Sequence, residues 1–290
     1  MKTKKLLNLF GGALAFGTFG VLLYLENRRP LRRRVESKLR HGSRNLTIAG
    51  FAAVALQLVE QPIVAPLTKL IERKNIGLLK IVRLPRLLET ILAVALMDYT
   101  LYVWHVLTHR LAFLWRFHLV HHIDLDLDTS TALRFHFGEI VVSAAWRAAQ
   151  IVVIGVSPVS FAAWQMFLFP SILFHHSNVR LPRRLEKKLG RLVVTPRLHG
   201  IHHSTVRGET DSNWSSGLSV WDWLHGTLKT DVAQQEIIIG VPAYQKPEEV
   251  VLTKIVPLPF EKQKPDWEFQ SASNYAEIQT NKFEFDRSHS

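Results

Sequence analysis

The stretch LLETILAVALMDYTLYVWHVLTH (Leu87–His109) starts as a membrane span and finishes in histidine. Its length matches the roughly 20 apolar residues a helix needs to cross hydrocarbon. On such a helix His105 and His109 stand four residues apart and share a face. Just downstream, RFHLVHH (Arg116–His122) and RLHGIHHS (Arg197–Ser204) each write H-x-x-H-H. Twelve of the 14 histidines lie between residues 105 and 225, so composition alone does not account for the spacing.

Other apolar runs flank this one. LLNLFGGALAFGTFGVLLYL (Leu6–Leu25) predicts an uncleaved anchor; the competing reading is a signal peptide cut after ALA at residues 13–15. The Arg/Lys-dense loop after it reads as cytoplasmic by the positive-inside rule. Leu46–Leu67 is a second span, weakened at its end by Glu60 and two prolines. Residues 140–174 read as a helical hairpin broken at GVSP (Gly155–Pro158). Counting crossings brings every histidine cluster to the cytoplasmic side. Arg73, Lys74, Lys80, Arg83 and Arg86 would then face outward, a conflict that an interfacial segment relieves. The expected fold is all-α: a multi-pass membrane helical bundle with a cytoplasmic His-rich helical cap. LPRRLEKKLGRLVV reads as a basic amphipathic helix on the membrane surface. The tail from about Glu261 is charged, patternless and expected to be weakly ordered.

Hydrophobic residues make up 47 % of the 290, and the formal net charge is +12. The positive charge lies between apolar runs, which suits an anionic membrane surface. No basic stretch is interleaved with stacking aromatics, which argues against nucleic acid. There is no cysteine, which excludes thiolate zinc sites, iron–sulfur clusters and cysteine nucleophiles. Any metal must be held by imidazole, carboxylate or water.

Successive helical residues are about 100° apart, so the adjacent histidines of H-x-x-H-H diverge enough to reach different metal ions. The clusters His105/His109, His118/His121/His122 and His199/His202/His203 can enclose a dinuclear centre. His176 and His136 are plausible additions, and His175 a weaker one. His41, His225 and His289 read as ordinary polar residues. Zinc proteases of the common kind place a glutamate base in H-E-x-x-H, which is missing here. Asp98, seven residues before His105, shares its helix face and either orients a ligand imidazole or is a helix-end carboxylate at the interface. Asp211, Asn213 and Asp222 either fix the last cluster or cap turns. The acidic loop Asp124–Asp128 reads as solvated.

Taken together, DYTLYVWHVLTHR, LWRFHLVHH, STALRFH, HHSNVRLP, VTPRLHGIHHS and TDSNWSSGLSVWDWLHGT resemble the fatty acid hydroxylase/sterol desaturase superfamily over roughly residues 90–230. The resemblance implies two iron ions, O2 as co-substrate, and hydroxylation or desaturation of a membrane lipid. It carries ligand roles onto His105, His109, His118, His121, His122, His199, His202 and His203, and a further one onto His176. Phe137 and His225 depart from residues usual in the family, and neither touches a box. The resemblance divides the chain into residues 1–85 (membrane spans and basic loop), 86–240 (catalytic domain) and 241–290 (polar tail). The electrons must come from a separate cytochrome- or ferredoxin-type donor with its reductase, because the chain has neither cysteine nor G-x-G-x-x-G. The basic segment Arg183–Arg191 is a candidate dock for that carrier. Rival classes are a membrane zinc-dependent hydrolase and a non-enzymatic metal-binding membrane protein.

Overall fold

The computed structural model describes residues 2–267, with side chains from residue 11 onward. Among them no strand forms, and the only β pairings are isolated bridges such as Pro30–Val179 and Val193–Leu218. The expected anchor lies within helix α1 (Lys2–Arg28). α2 (Lys38–Ala55) runs through a π-helical turn (Leu56–Glu60) into α3 (Gln61–Lys74). The second apolar run therefore does not fail at its prolines. Pro62 cannot donate to a carbonyl, but it follows a wide turn in which Gln61 N–H reaches back to Leu56 O. The helix continues through Pro66 to Lys74.

The third run is α4 (Arg86–Arg110), followed at once by the short α5 (Ala112–His122). The expected hairpin is α6 (Phe137–Ile154) and α7 (Pro158–His176). His136 caps α6; Ser157 caps α7, with Pro158 in its first turn. Among the described residues, three segments are long and apolar enough to cross a membrane: Lys38–Lys80, Arg86–Arg110 and Phe137–Ile154. Their outward faces stay apolar, with Leu58, Leu87 and Val153 each more than 60 % exposed. A surface of this kind is expected against lipid, not water.

α4 packs on α7, α3 on α6 and α1 on α7. The bundle interior is built from Val64, Ile71, Met97, Ile151, Phe161 and Trp164. At one end Gly77 lies on Gly155, and a Cβ on Gly77 would come 2.3 Å from Gly155 Cα. Both glycines have positive φ, 109° and 85°, so this meeting of two connections requires glycine twice. At the other end the C-termini of α1, α4 and α7 meet the N-termini of α2 and α6. There α9 (Pro196–His202) and the segment 241–260 close over α5, and α8 (Arg183–Leu189) joins α9 through Glu186 and Arg197. Residues 261–267, expected to be weakly ordered, are packed: Asp266 accepts a hydrogen bond from Trp115 Nε1 at 2.8 Å. The remainder of the tail, His289 included, lies outside the described residues.

A polar group sits inside the apolar bundle. Arg147 Nε lies 4.0 Å from Glu60 Oε1, and its guanidinium lies 4.3 Å from the centre of the Trp164 ring. Both charges are largely buried, so each depends on the other. Arg147→Met is expected to destabilise the protein by about 3–5 kcal/mol by stranding Glu60. The double replacement Glu60→Leu/Arg147→Met should recover most of that loss. Thermal unfolding in detergent decides it, and a double variant no better than the single one would remove the pairing argument.

Candidate metal centre

The helix ends at the capped side converge their histidines into two groups. His105, His109, His118, His122 and His202 form one, and His121, His176, His199 and His203 the other. Within each group the ring nitrogens lie within 4.8 Å of one another. The two H-x-x-H-H boxes are used reciprocally. On α5 the i, i+4 pair His118/His122 faces the first group and His121 the second. On α9 and its C-cap the pair His199/His203 faces the second group and His202 the first. The divergence of adjacent helical residues is thus used twice, in opposite senses.

Hydrogen bonds on the far side of each ring fix where the lone pairs point. His105 Nδ1 donates to Trp214 O (2.7 Å), and His118 Nδ1 donates to Glu139 Oε1 (3.0 Å). A neutral imidazole holding its proton on Nδ1 has a bare lone pair on Nε2. Yet His105 Nε2 and His118 Nε2 stand 3.2 Å apart. The second group repeats the arrangement. His121 Nδ1 donates to Arg134 O (3.3 Å) and His176 Nδ1 to Ile172 O (2.8 Å), with their Nε2 atoms 3.0 Å apart. Two lone pairs face each other with no proton left to share, an arrangement that a cation between them makes favourable. His109 Nε2, His202 Nε2 and both nitrogens of His122 are buried without any hydrogen-bond partner. Unpaired buried polar atoms are rare in folded proteins, and here they cluster. The donor set therefore fits a pair of metal ions held by imidazole.

Protonation is unfavourable at these rings. Burial first, and then the neighbouring imidazoles, holds His121, His122, His199 and His203 well below the usual histidine range. Burial likewise pulls His202 down to about 3. Neutral imidazole is the form that binds a metal ion.

The loop 212–222 supplies carbonyls to the first group, since Ser212 O accepts from His202 Nδ1 at 2.8 Å. Three residues flagged by the sequence pin this loop. Asn213, at φ 54°, donates to Leu198 O and Lys229 O at 2.9 Å each. Asp222 accepts from Trp214 N–H (2.9 Å) and Ser215 N–H (3.0 Å). Asp98 accepts from Leu218 N–H (2.9 Å) and Trp221 Nε1 (2.8 Å). It acts on the loop and touches no ligand imidazole. Asp211 pairs outward with Arg110 and Arg207.

Several expectations are corrected. His136 stands outside both groups, because its two nitrogens are used within the fold. Its Nδ1 accepts from Gly138 N–H and its Nε2 donates to Val256 O, each at 3.0 Å. His136→Ala is therefore expected to leave bound metal unchanged while lowering stability by about 1 kcal/mol, the usual worth of a helix cap. Loss of metal on this replacement would contradict the assignment. His175 is buried against His199 but belongs to neither group, and His225 stacks on Tyr102.

The acidic loop is not solvated. Asp124, Asp126 and Asp128 are all buried, and the Arg-rich segment folds onto them. Asp124 accepts from His41 Nε2 (2.9 Å), Arg44 (3.1 Å), Asn45 (2.9 Å) and Thr131 (2.9 Å). Arg134 lies 3.5 Å from it. Asp126 accepts from Val35 N–H and Glu36 N–H, and Asp128 from Arg34. Burial works against the Asp124 charge, but Arg134 and His41 outweigh it and hold its pKa well below the carboxylate range. Glu36, His41 and Asp124 also lie close enough to suit a metal ion. The guanidinium of Arg44, bridging Glu36 and Asp124, already supplies positive charge there. Arg134 joins this network to the centre. Its Nε donates to Val120 O at 2.8 Å, and its own carbonyl accepts from His121. Glu139, Arg134 and His41 were not identified from the sequence. Glu139 had one visible signal, its place in the first turn of the helix that follows His136.

Known proteins give the same outline. Residues 90–227 match the fatty acid hydroxylase family. The chain is 30 % identical over 158 residues to ornithine lipid hydroxylase OlsE of Rhizobium tropici, covering 54 % of this chain and 46 % of that one. It is 26 % identical over 147 residues to alkylglycerol monooxygenase of Homo sapiens, covering 50 % and 31 %. The chain thus spans less than half the length of either relative. No solved structure gives a significant match. Both imidazole groups fall within the matched stretch, and it is this part of the chain that is similar to the fatty acid hydroxylase family.

Proposed function

We propose that the protein is a membrane di-iron oxygenase that hydroxylates a polar lipid, with external electrons and O2. The observation that carries this is the pair of adjacent, all-imidazole groups whose lone pairs face each other. The ligands are His105, His109, His118, His122 and His202 for one ion, and His121, His176, His199 and His203 for the other. Iron bound there would supply O2 activation and hydrogen abstraction from a lipid C–H bond.

The chain's own residues do the rest. The carbonyls of Trp214, Ser212, Arg134 and Ile172 hold four rings in one orientation. Glu139 places negative charge behind His118, in a ligand set otherwise neutral. Burial of the rings keeps bulk water from the reacting positions. The lipid reaches the centre from the bilayer side, between helices whose outer faces are apolar. The two relatives, a hydroxylase of ornithine lipid and a monooxygenase of alkylglycerol, both act on lipids with polar headgroups, and this supports the same substrate class here. In this reading the capped end faces the cytoplasm and α1, α2–α3, α4, α6 and α7 each cross the bilayer. A hydrolytic zinc enzyme would need a free carboxylate as base; Glu139, the carboxylate at these rings, is committed to His118.

The test is metal analysis of the purified chain, followed by lipid profiling of cells with and without it. Iron in both positions and an O2-dependent hydroxylated lipid are expected. Zinc alone, with activity independent of O2, would replace this reading with the hydrolase.

A further inference from the structure

The metal groups are enclosed on most sides by helices, but one side approaches the surface. A cavity of about 340 Å³ opens beside His109, lined by Arg110, Trp115, Arg207 and Trp267 among others. The two indoles make a continuous contact from surface to ligand. Trp267 is half-buried, and its ring lies 6.1 Å from that of Trp115, nearly parallel at 21°. The Trp115 ring lies 5.0 Å from His109 and 5.4 Å from His122. Trp214, also beside His109, is buried and reaches the exposed His225 only through Tyr102, a path with one more ring than the route by Trp115 and Trp267.

Packing alone does not require this arrangement. Trp115 could fill its place in the core without a second indole stacked outside it. Its Nε1–H is also held by Asp266 at 2.8 Å, which fixes the ring plane against the two imidazoles. Arg110, Arg207, Asp211 and Asp266 line the opening, and the two arginines are the more exposed of the four. The side chains of Arg110 and Arg207 are 53 % and 67 % exposed, while Asp211 lies between them at 23 %. Arg207 also lies over the Trp267 ring, at 5.9 Å.

We propose that electrons enter the metal centre through Trp267 and Trp115, from a one-electron carrier protein whose acidic face docks over the cavity between Arg110 and Arg207. This rests on the proposed function, which needs an external donor. Tunnelling falls off exponentially with distance and is better carried through contacting π systems than across open space. Each passage moves one electron from the carrier's reduced cofactor to one metal ion. The carrier is oxidised by one electron and the ion reduced by one, and no bond is made or broken at the indoles, which act only as a bridge. The dock does not include Arg183–Arg191.

The experiment is anaerobic stopped-flow reduction of the full chain loaded with ferric iron. A reduced, acidic [2Fe–2S] ferredoxin serves as the carrier probe and dithionite as the small-molecule control. Trp267→Leu touches no ligand imidazole. It is expected to slow reduction by ferredoxin about tenfold and to leave reduction by dithionite unchanged. Trp267→Phe, which keeps a ring, should fall between. Arg207→Glu should weaken ferredoxin binding to the metal-free protein, and the parent's binding should weaken with added salt. An unchanged ferredoxin rate in Trp267→Leu, or equal slowing with both reductants, overturns the route. Failure of the parent chain to bind iron overturns the proposed function and this inference together; bound iron with indifferent indoles overturns this inference alone.

Discussion

His121→Ala and His203→Ala are expected to share one phenotype, and His122→Ala and His202→Ala another. Each replacement should abolish activity and release about one metal equivalent, because an emptied ligand position in a dry site has no water to take its place. The ion lost should differ between neighbours in sequence. His121 and His203 serve the group that includes His176, whereas His122 and His202 serve the group that includes His105 and His109. Metal content per chain, with Mössbauer spectra of the iron that remains, separates the two classes. If His121→Ala resembled His122→Ala more than His203→Ala, the reciprocal use of the boxes would be wrong. Full activity in any of the four would remove the metal assignment itself.

The second large effect is expected far from the ligands in sequence. Asp124→Ala should lower stability by about 3–5 kcal/mol, because it leaves His41, Arg44 and Arg134 buried without their shared carboxylate. It should also weaken metal affinity by about 10–100-fold, the usual cost of disturbing the groups that orient metal ligands. The link is Arg134, which holds Val120 O with its side chain and His121 with its carbonyl. His41→Phe, with the ring shape kept and the charge removed, should show a weaker form of both losses. Thermal unfolding and metal release to a chelator measure them. An Asp124→Ala protein that melts like its parent and keeps its metal would reduce the network to a passive contact. Residues 26–45, which complete it, lie outside the stretch matched to the family. The expectation is therefore that residues 90–227 alone hold metal poorly.

What the sequence made legible has a common character: it is local and periodic. Apolar runs located α4 and the α6–α7 hairpin, and the i, i+3, i+4 spacing located the imidazoles of both groups other than His176, which came from the resemblance. The spacing could say that adjacent histidines diverge. It could not say which box serves which group, because that depends on how α5 and α9 are turned towards each other. The Asp124 network was misread because its partners are about eighty residues away. Arg44 and Asp124 each belong to a run of like charge, and such runs are usually solvated when considered alone. Only the chain reversal between α1 and α2 brings them together. The carbonyls of Trp214, Ser212 and Arg134 leave no trace in sequence, since every residue has one. His136 misled for the opposite reason, being a histidine near the boxes whose place is the cap of α6. The packing of residues 261–267 was hidden because its anchors, Asp266 and Trp267, are single residues in a patternless tail.

The unbroken run from Lys38 to Lys74 has a mechanical consequence. At about 1.5 Å per residue it is a rod of roughly 55 Å, set against hydrocarbon about 30 Å thick. In the proposed placement across the bilayer such a rod tilts or protrudes, and its angle follows the thickness of the bilayer around it. Its first two turns carry His41 and Arg44, both held to Asp124, two residues beyond His122. The π turn at Leu56–Glu60 is the place where the rod can yield. A thinner or thicker membrane therefore pulls on the imidazole cage through a lever that begins in the lipid.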